Sequence, residues 1–213
     1  MNNHDAPPLS TDEPAAHELP AIEFESPGRF AIHNPAQQNS PPSEIQAAAF
    51  TLGEHSELQA FSTPEQGRSH ALALLQQARR QLCLYSSDLE PWLYHHSSIQ
   101  EACTRFLLAN PKNQLRILLR DSSRAVKDGH RLLTLARRLP SSCQIRKLHP
   151  DYPNEEITFL LADHCGLLLR PELSQFAGYA LYQDPVRNRQ RLSQFEQAWA
   201  TSISDADLRS FLL

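Results

Sequence analysis

The sequence has no run of eighteen or so apolar residues, so no segment reads as a membrane-spanning helix and membrane insertion is not expected. Its opening, MNNHDAPPLSTDEP, lacks the basic start and the apolar stretch of a secretion signal, which argues against export. Cysteine is sparse. Cys83, Cys103, Cys143 and Cys165 lie 20, 40 and 22 residues apart, with no CxxC pair to hold zinc, and a chain of 213 residues needs no disulfide staples. They read as reduced thiols in a cytoplasmic core. Glycine is scarcer than proline, 6 against 16, and eight of the prolines fall in the first 42 residues. No internal repeat is present, and the length allows one domain with an appendage rather than two full domains.

Positive charge is almost missing from the first 60 residues, where Arg29 stands against nine acids, a net of −8. The rest of the chain carries 19 cations and 15 acids. Between Arg105 and Lys147 eleven Lys or Arg residues face only Asp121 and Asp128. An acidic, Pro-rich segment to about residue 42, with no sustained apolar period, cannot bury enough surface to order itself and is expected to be disordered. It serves either as a solubilising extension or as an acidic strap competing with anions for the basic body. Residues 43–62 read as a lead-in able to form an edge strand or short helix, residues 63–203 as the folded domain, and 204–213 as a tail.

Thr63-Pro64-Glu65-Gln66 has the form of a capped helix start, followed by Ala71, Leu74, Leu75 and Ala78 at helical spacing, which predicts a helix over 64–80. Leu82–Tyr85 is a short apolar run ending in Ser86-Ser87-Asp88, as a buried strand would. Ser98 and Glu101 suggest a second capping box, for a helix stopped by Asn110-Pro111. A strand at 115–119 and a helix at 123–139 come next. Strands are then expected at 143–148, 157–162, 166–170 and 176–182, and a last helix after Asp184-Pro185 carries the stripe Leu192, Phe195, Trp199. Alternation first and clustered strands later give an α/β fold with a mixed, partly parallel sheet flanked by helices.

From about residue 64 to 202 this order resembles one half-unit of the phospholipase D-like superfamily. Active members carry HxK on a strand, an Asp five residues after the Lys, a GS pair on the next strand, and a closing helix with Phe and Trp. Here Asp163 falls at the Asp position, and Phe195 and Trp199 match the closing helix. Glu156 stands at the position of the nucleophilic His, Thr158 at that of the Lys, and the strand meant to present GS ends in Leu169-Arg170-Pro171. The resemblance implies attack on a phosphodiester by imidazole with lysine balancing the phosphate, and a carboxylate at the first position would repel that phosphate. Phosphodiester cleavage is therefore not expected. No cofactor is implied, and homodimers are implied only because single-unit relatives pair. The stretch RDSSRAVKDGHRLLTLARRLP also resembles an uncharacterised bacterial domain found elsewhere fused to GNAT-type N-acetyltransferases, which implies an acetyltransferase as a partner.

Arg124, Lys127, Arg131 and Arg138 share a stripe of the helix expected over 123–139, opposite Ala125, Leu132, Leu133, Ala136 and Leu139. Such a stripe is either an ordinary solvated face or a contact for phosphate or nucleic acid, giving affinity without base reading. Ser86 and Ser87 after one strand, and Arg120, Ser122 and Ser123 after the next, sit where exposed N–H groups and hydroxyls can bind an anion or simply cap helices. Those loops, with Asp163 and Arg170, are the expected pocket, at the strand ends of an open sheet. Gly129 inside the helix suggests close packing, and His130 beside it joins the anion-binding candidates as a group able to titrate near neutral pH. His95, His96, His149 and His164 lack chelating spacing, so no metal site is expected. Asp88, Glu90, Glu155, Glu156 and Asp163 supply carboxylates enough for acid–base work if the fold assembles them. The expected function is a non-catalytic binding or assembly module with an anion-receptive basic surface; nucleic-acid binding, an acetyltransferase accessory role, and an enzyme with repurposed carboxylates are the alternatives.

Overall fold

The computed structural model describes residues 45–153, 156–205 and 208. The acidic segment to residue 42, Glu155 and most of the tail after 205 lie outside them. Thr63 opens α1 (Pro64–Gln77), its hydroxyl oxygen accepting the Gln66 N–H at 3.3 Å. Gln66 Oε1 in turn accepts the Ser62 N–H at 3.2 Å, so the capping box closes one residue upstream of its usual place. The helix buries Ala71, Leu72, Leu74 and Leu75 against α3 (Ser97–Ala109). α3 starts at Ser97 after His96, which makes no side-chain cap bond, so the capping box expected at Ser98 does not form. A single turn, α2 (Pro91–Tyr94), precedes it and had no periodic signal to announce it.

One seven-stranded sheet lies beneath these helices. Its strands are β1 (Gln59–Phe61), β2 (Gln81–Ser86), β3 (Gln114–Leu119), β4 (Cys143–Lys147), β5 (Thr158–Ala162), β6 (Gly166–Arg170) and β7 (Gly178–Leu181), in the spatial order β1-β7-β6-β5-β2-β3-β4. β2, β3 and β4 run parallel and need helical crossovers; β5, β6 and β7 are antiparallel neighbours. β2 and β5 also pair antiparallel, with Leu82 opposite Ala162 and Tyr85 opposite Phe159. The lead-in supplies the edge strand β1, and Ile45, Ala48, Phe50 and Leu52 pack against the core before it.

Alternation along the strands divides the core between two faces. Leu82, Leu84, Leu160 and Leu168 pack under α1 and α3, whereas Cys83, Tyr85, Phe159 and Leu169 pack toward α6 (Pro185–Thr201). Asp184 caps α6 by accepting the Arg187 N–H at 2.9 Å, and the helix buries Phe195 and Ala198 with Leu192 and Trp199 half-buried beside them. All four cysteines are buried free thiols. Burial pushes Cys83 up to about 11 and Cys143 up to about 12, so neither supplies a thiolate near neutral pH.

The helix expected over 123–139 is two helices, α4 (Ser123–Lys127) and α5 (Arg131–Arg138), broken at Gly129. Gly129 has φ +59°, and nothing lies within 4 Å of the place its Cβ would occupy. Backbone conformation, not close packing, is what requires glycine there. The continuous cationic stripe is thereby split between two helices. Among the described residues no helix is long and apolar enough to cross a membrane.

Candidate anion-binding crevice and basic face

The loops after β2 and β3 do lie together. Ser87 O accepts the Arg120 N–H at 3.1 Å and the Asp121 N–H at 2.9 Å, and Arg124 Nη1 meets Asp88 Oδ2 at 3.0 Å. The hydroxyls of Ser86, Ser122 and Ser123, however, are already bonded within the protein. Ser86, 1% exposed, accepts the Leu89 N–H at 3.1 Å. Ser122 donates to Asp205 Oδ2 at 2.7 Å, and Ser123 donates to Asp121 Oδ1 at 2.7 Å. The Ser123 hydroxyl, with the Ser123 N–H donating to the same oxygen at 2.9 Å, holds the Asp121 carboxyl below the usual range. Arg120 donates to Pro153 O at 2.7 Å, and Lys147 faces Asp205 at 3.8 Å. Each cation of the crevice thus has an acid or carbonyl beside it, and little positive potential is left over for a ligand.

Among the described residues Arg170 is the largest fully buried side chain, at 1% exposure, and it forms an ion pair with Glu90, itself 4% exposed. Its guanidinium lies over the Trp92 ring at 4.8 Å, and Nη2 donates to the carbonyls of Glu172 at 3.2 Å, Leu173 at 3.3 Å and Gln175. Arg170 therefore ties the loop after β6 to the turn before α2. Glu90 reaches it from a strained backbone: Leu89 and Glu90 are left-handed, with φ of 67° and 35°, an arrangement that costs of order 1–3 kcal/mol per residue. Thr158 is the register partner of Arg170 across β5 and β6 and is 2% exposed; Glu156 is exposed. Glu90 stood in the sequence among five carboxylates with nothing to single it out. Only the fold, which brings the turn before α2 beside the end of β6, reveals its partner.

Asp163 is not part of this crevice. Antiparallel pairing of β5 with β2 carries it to the opposite end of the sheet, where its carboxylate accepts the N–H groups of Arg79 at 2.9 Å, Arg80 at 2.7 Å and Gln81 at 3.1 Å. It joins the end of α1 to the start of β2, with a φ of 53° at the tip of its own hairpin. Glu156 and Asp163 thus sit beyond opposite ends of β5, too far apart to act on one reacting group.

His130 is also removed from any exposed anion set. It is fully buried; its Nδ1 accepts the Leu132 N–H at 3.2 Å and caps α5. Burial first, with the neighbouring His95 ring second, pushes its pKa down to about 4, away from neutral. His95 packs on it edge-to-face at 4.9 Å, and among the described residues no three His, Cys, Asp or Glu side chains are placed to hold a metal.

The outer faces of α3, α4 and α5 carry a group of exposed cations. Arg105 on α3, Lys127 on α4, and Arg131 and Arg138 on α5 are all exposed or nearly so. Arg131 donates to Gln100 Oε1 on α3 at 3.3 Å, and no carboxylate among the described residues pairs with any of the four. Arg124, by contrast, is shared between Asp88 and Asp128.

The chain is similar to several solved structures. One, at a TM-score of 0.53 and 11% identity, is TrmBL2, an archaeal chromatin protein with a novel mode of DNA binding; the match covers 71% of this chain and 55% of that protein, about half its length. Nuc from Salmonella typhimurium, a phospholipase D family member, matches 68% of this chain and 95% of its own at 13% identity and a TM-score of 0.48. NucT from Helicobacter pylori matches 70% and 99% at 10% identity and 0.49. No curated protein matches the sequence. Residues 63–211 match the family described as a domain of unknown function, DUF7931, and the chain belongs to it.

Proposed function

We propose that this chain is a non-catalytic phospholipase D-like binding module that holds a phosphate-bearing polymer, single- or double-stranded nucleic acid, against the outer face of α4 and α5. The observation that carries this reading is the set of outward-facing cations, Arg105, Lys127, Arg131 and Arg138, without carboxylate partners among the described residues. Unpaired exposed cations gain most from displacing the counterions of a polyanion, whereas cations already paired gain little. The crevice offers no comparable surface, because Arg170 is committed to Glu90 and Arg124 to Asp88. On the resemblance, Glu156 and Thr158 stand where imidazole and lysine would be needed, so binding is not followed by cleavage. The likeness to a DNA-binding chromatin protein agrees with this reading but shares the fold alone.

The test is oligonucleotide affinity measured across a salt series. Binding should weaken steeply with salt, and changing Lys127, Arg131 and Arg138 to glutamine should reduce the slope of log K against log salt by about 2 to 3, close to one unit for each phosphate that is no longer neutralised. Absent or salt-independent binding, or an unchanged slope in the triple variant, would remove the proposal.

A further inference from the structure

We propose that the end of the sheet where β2 and β3 begin holds a site for a small hydrophilic phosphate monoester of the sugar-phosphate class. A depression of about 400 Å³ lies there, inside the range of about 300–1,000 Å³ in which small-ligand sites fall. Three connections assemble it: Arg80 and Gln81 come from the junction of α1 with β2, Lys112 and Gln114 from the turn between α3 and β3, and Asp163 and His164 from the β5–β6 hairpin. Gln81 and Gln114 are register partners on the first rung of the parallel ladder, so their side chains rise from the same face of the sheet. The Gln114 N–H donates to Arg80 O at 3.3 Å and the Asp163 N–H to Gln81 O at 2.9 Å, which fixes the three connections to one another.

Positive charge in this depression is uncommitted. Arg80, Lys112 and His164 are exposed, and among the described residues their side chains have no hydrogen-bond, ion-pair or ring partner. Asp163 also lines it, but its carboxylate is taken up by the N–H groups of Arg79, Arg80 and Gln81, three successive donors of the kind that cradle anions. Two cations thus stand against one carboxylate whose charge the backbone already meets. A phosphate dianion suits them, the guanidinium gripping two oxygens and the ammonium a third. No apolar side chain and no Phe, Tyr or Trp is among the described lining residues, so an acyl chain or a nucleobase would find nothing to cover it. Side-chain amides both donate and accept, which suits hydroxyls: Gln114 is exposed, and Gln81 uses its amide once, donating to Asp163 O at 3.4 Å. The nucleic-acid reading rests on other residues, so either can fail without the other.

The experiment titrates the full chain, by calorimetry and NMR, with ribose 5-phosphate and glucose 6-phosphate, beside ribose, glucose and inorganic phosphate. Saturable binding of a sugar phosphate is expected, tighter than that of inorganic phosphate and with the side-chain amide signals of Gln81 and Gln114 shifting, while the parent sugars stay unbound. Arg80→Gln and Lys112→Gln should each weaken it tenfold or more, as the loss of a charge-assisted hydrogen bond does. Changing Lys127, Arg131 and Arg138 to glutamine should leave it unchanged. Arg80 and Lys112 also follow the C-terminal ends of α1 and α3, where positive charge meets the last carbonyls. If that is their whole role, the two variants lose stability and no sugar phosphate binds, which overturns the proposal. Binding that survives both substitutions overturns it too, as does inorganic phosphate bound as tightly as its sugar esters, since the amides would then contribute nothing.

Discussion

At His130 the imidazole Nδ1 must stay unprotonated for α5 to keep its cap, because it accepts the Leu132 N–H. The folded pKa of about 4 lies below the 6.5 of a free histidine. Between those values the unfolded chain binds the proton and the folded chain does not, so stability is full above about pH 6.5 and falls as pH drops toward 4. A shift of that size corresponds to about 3 kcal/mol once the fall is complete. His70 adds to the limb in the same direction: burial pushes its pKa down too, and its Nδ1 lies 2.9 Å from the Tyr182 hydroxyl. Urea denaturation measured from pH 7.5 to 4 should show the loss, and His130→Asn, which can cap without titrating, should flatten much of it. An unchanged acid limb in that variant would contradict the assignment. None of this was legible in the sequence, where His130 sits among Asp128, Gly129 and Arg131 and reads as an anion-binding candidate able to titrate near neutral pH. Its burial follows from the break between α4 and α5, a feature of the backbone rather than of hydropathy.

That break is the main difference between the expected and observed elements. A 3.6-residue apolar period runs through Ala125, Leu132, Leu133, Ala136 and Leu139, and it continues in phase across a turn just as it would along one helix, so periodicity alone could not reveal the interruption. Glycine was the available signal and it has two meanings. In a continuous helix, Gly129→Ala would stabilise by about 1 kcal/mol, the ordinary helix-propensity gain. At φ +59° the sign reverses, and the same change should cost about 1 kcal/mol despite the free space around it, because alanine resists the left-handed region. Thermal or urea unfolding of this one variant separates the two, and a rise in stability would restore the single helix. Elements with strong local marks were legible: β6 falls on the expected 166–170, and α1 and α6 begin at their predicted prolines. α2 was not, since four residues carry no period and its start depends on a strained Glu90.

For the whole molecule, the sequence conveyed the order of layers but not which ends of the strands meet. Parallel β2, β3 and β4 gather the loops after β2 and β3, as expected of an open sheet, yet the antiparallel insertion of β5 beside β2 sends Asp163 to the far end and brings Thr158 and Arg170 to the near one. A pairing between Glu90 and Arg170, eighty positions apart, leaves no local trace. Thr158 stands directly opposite Arg170 on the neighbouring strand. Buried beside each other, the two positions can support one cation for one carboxylate. Thr158→Lys should then place a second ammonium against Arg170 and cost about 3–5 kcal/mol, and Arg170→Thr should cost a similar amount by leaving Glu90 without its partner. Combined, the two changes return one cation to one carboxylate, so the double variant should be more stable than the sum of the singles predicts by about 2 kcal/mol or more. Recovery stays partial because a lysine at the other strand cannot replace the guanidinium's bonds to the carbonyls of Glu172, Leu173 and Gln175. Denaturant midpoints of the four proteins measure the coupling; strictly additive penalties would show that the two positions do not share the charge.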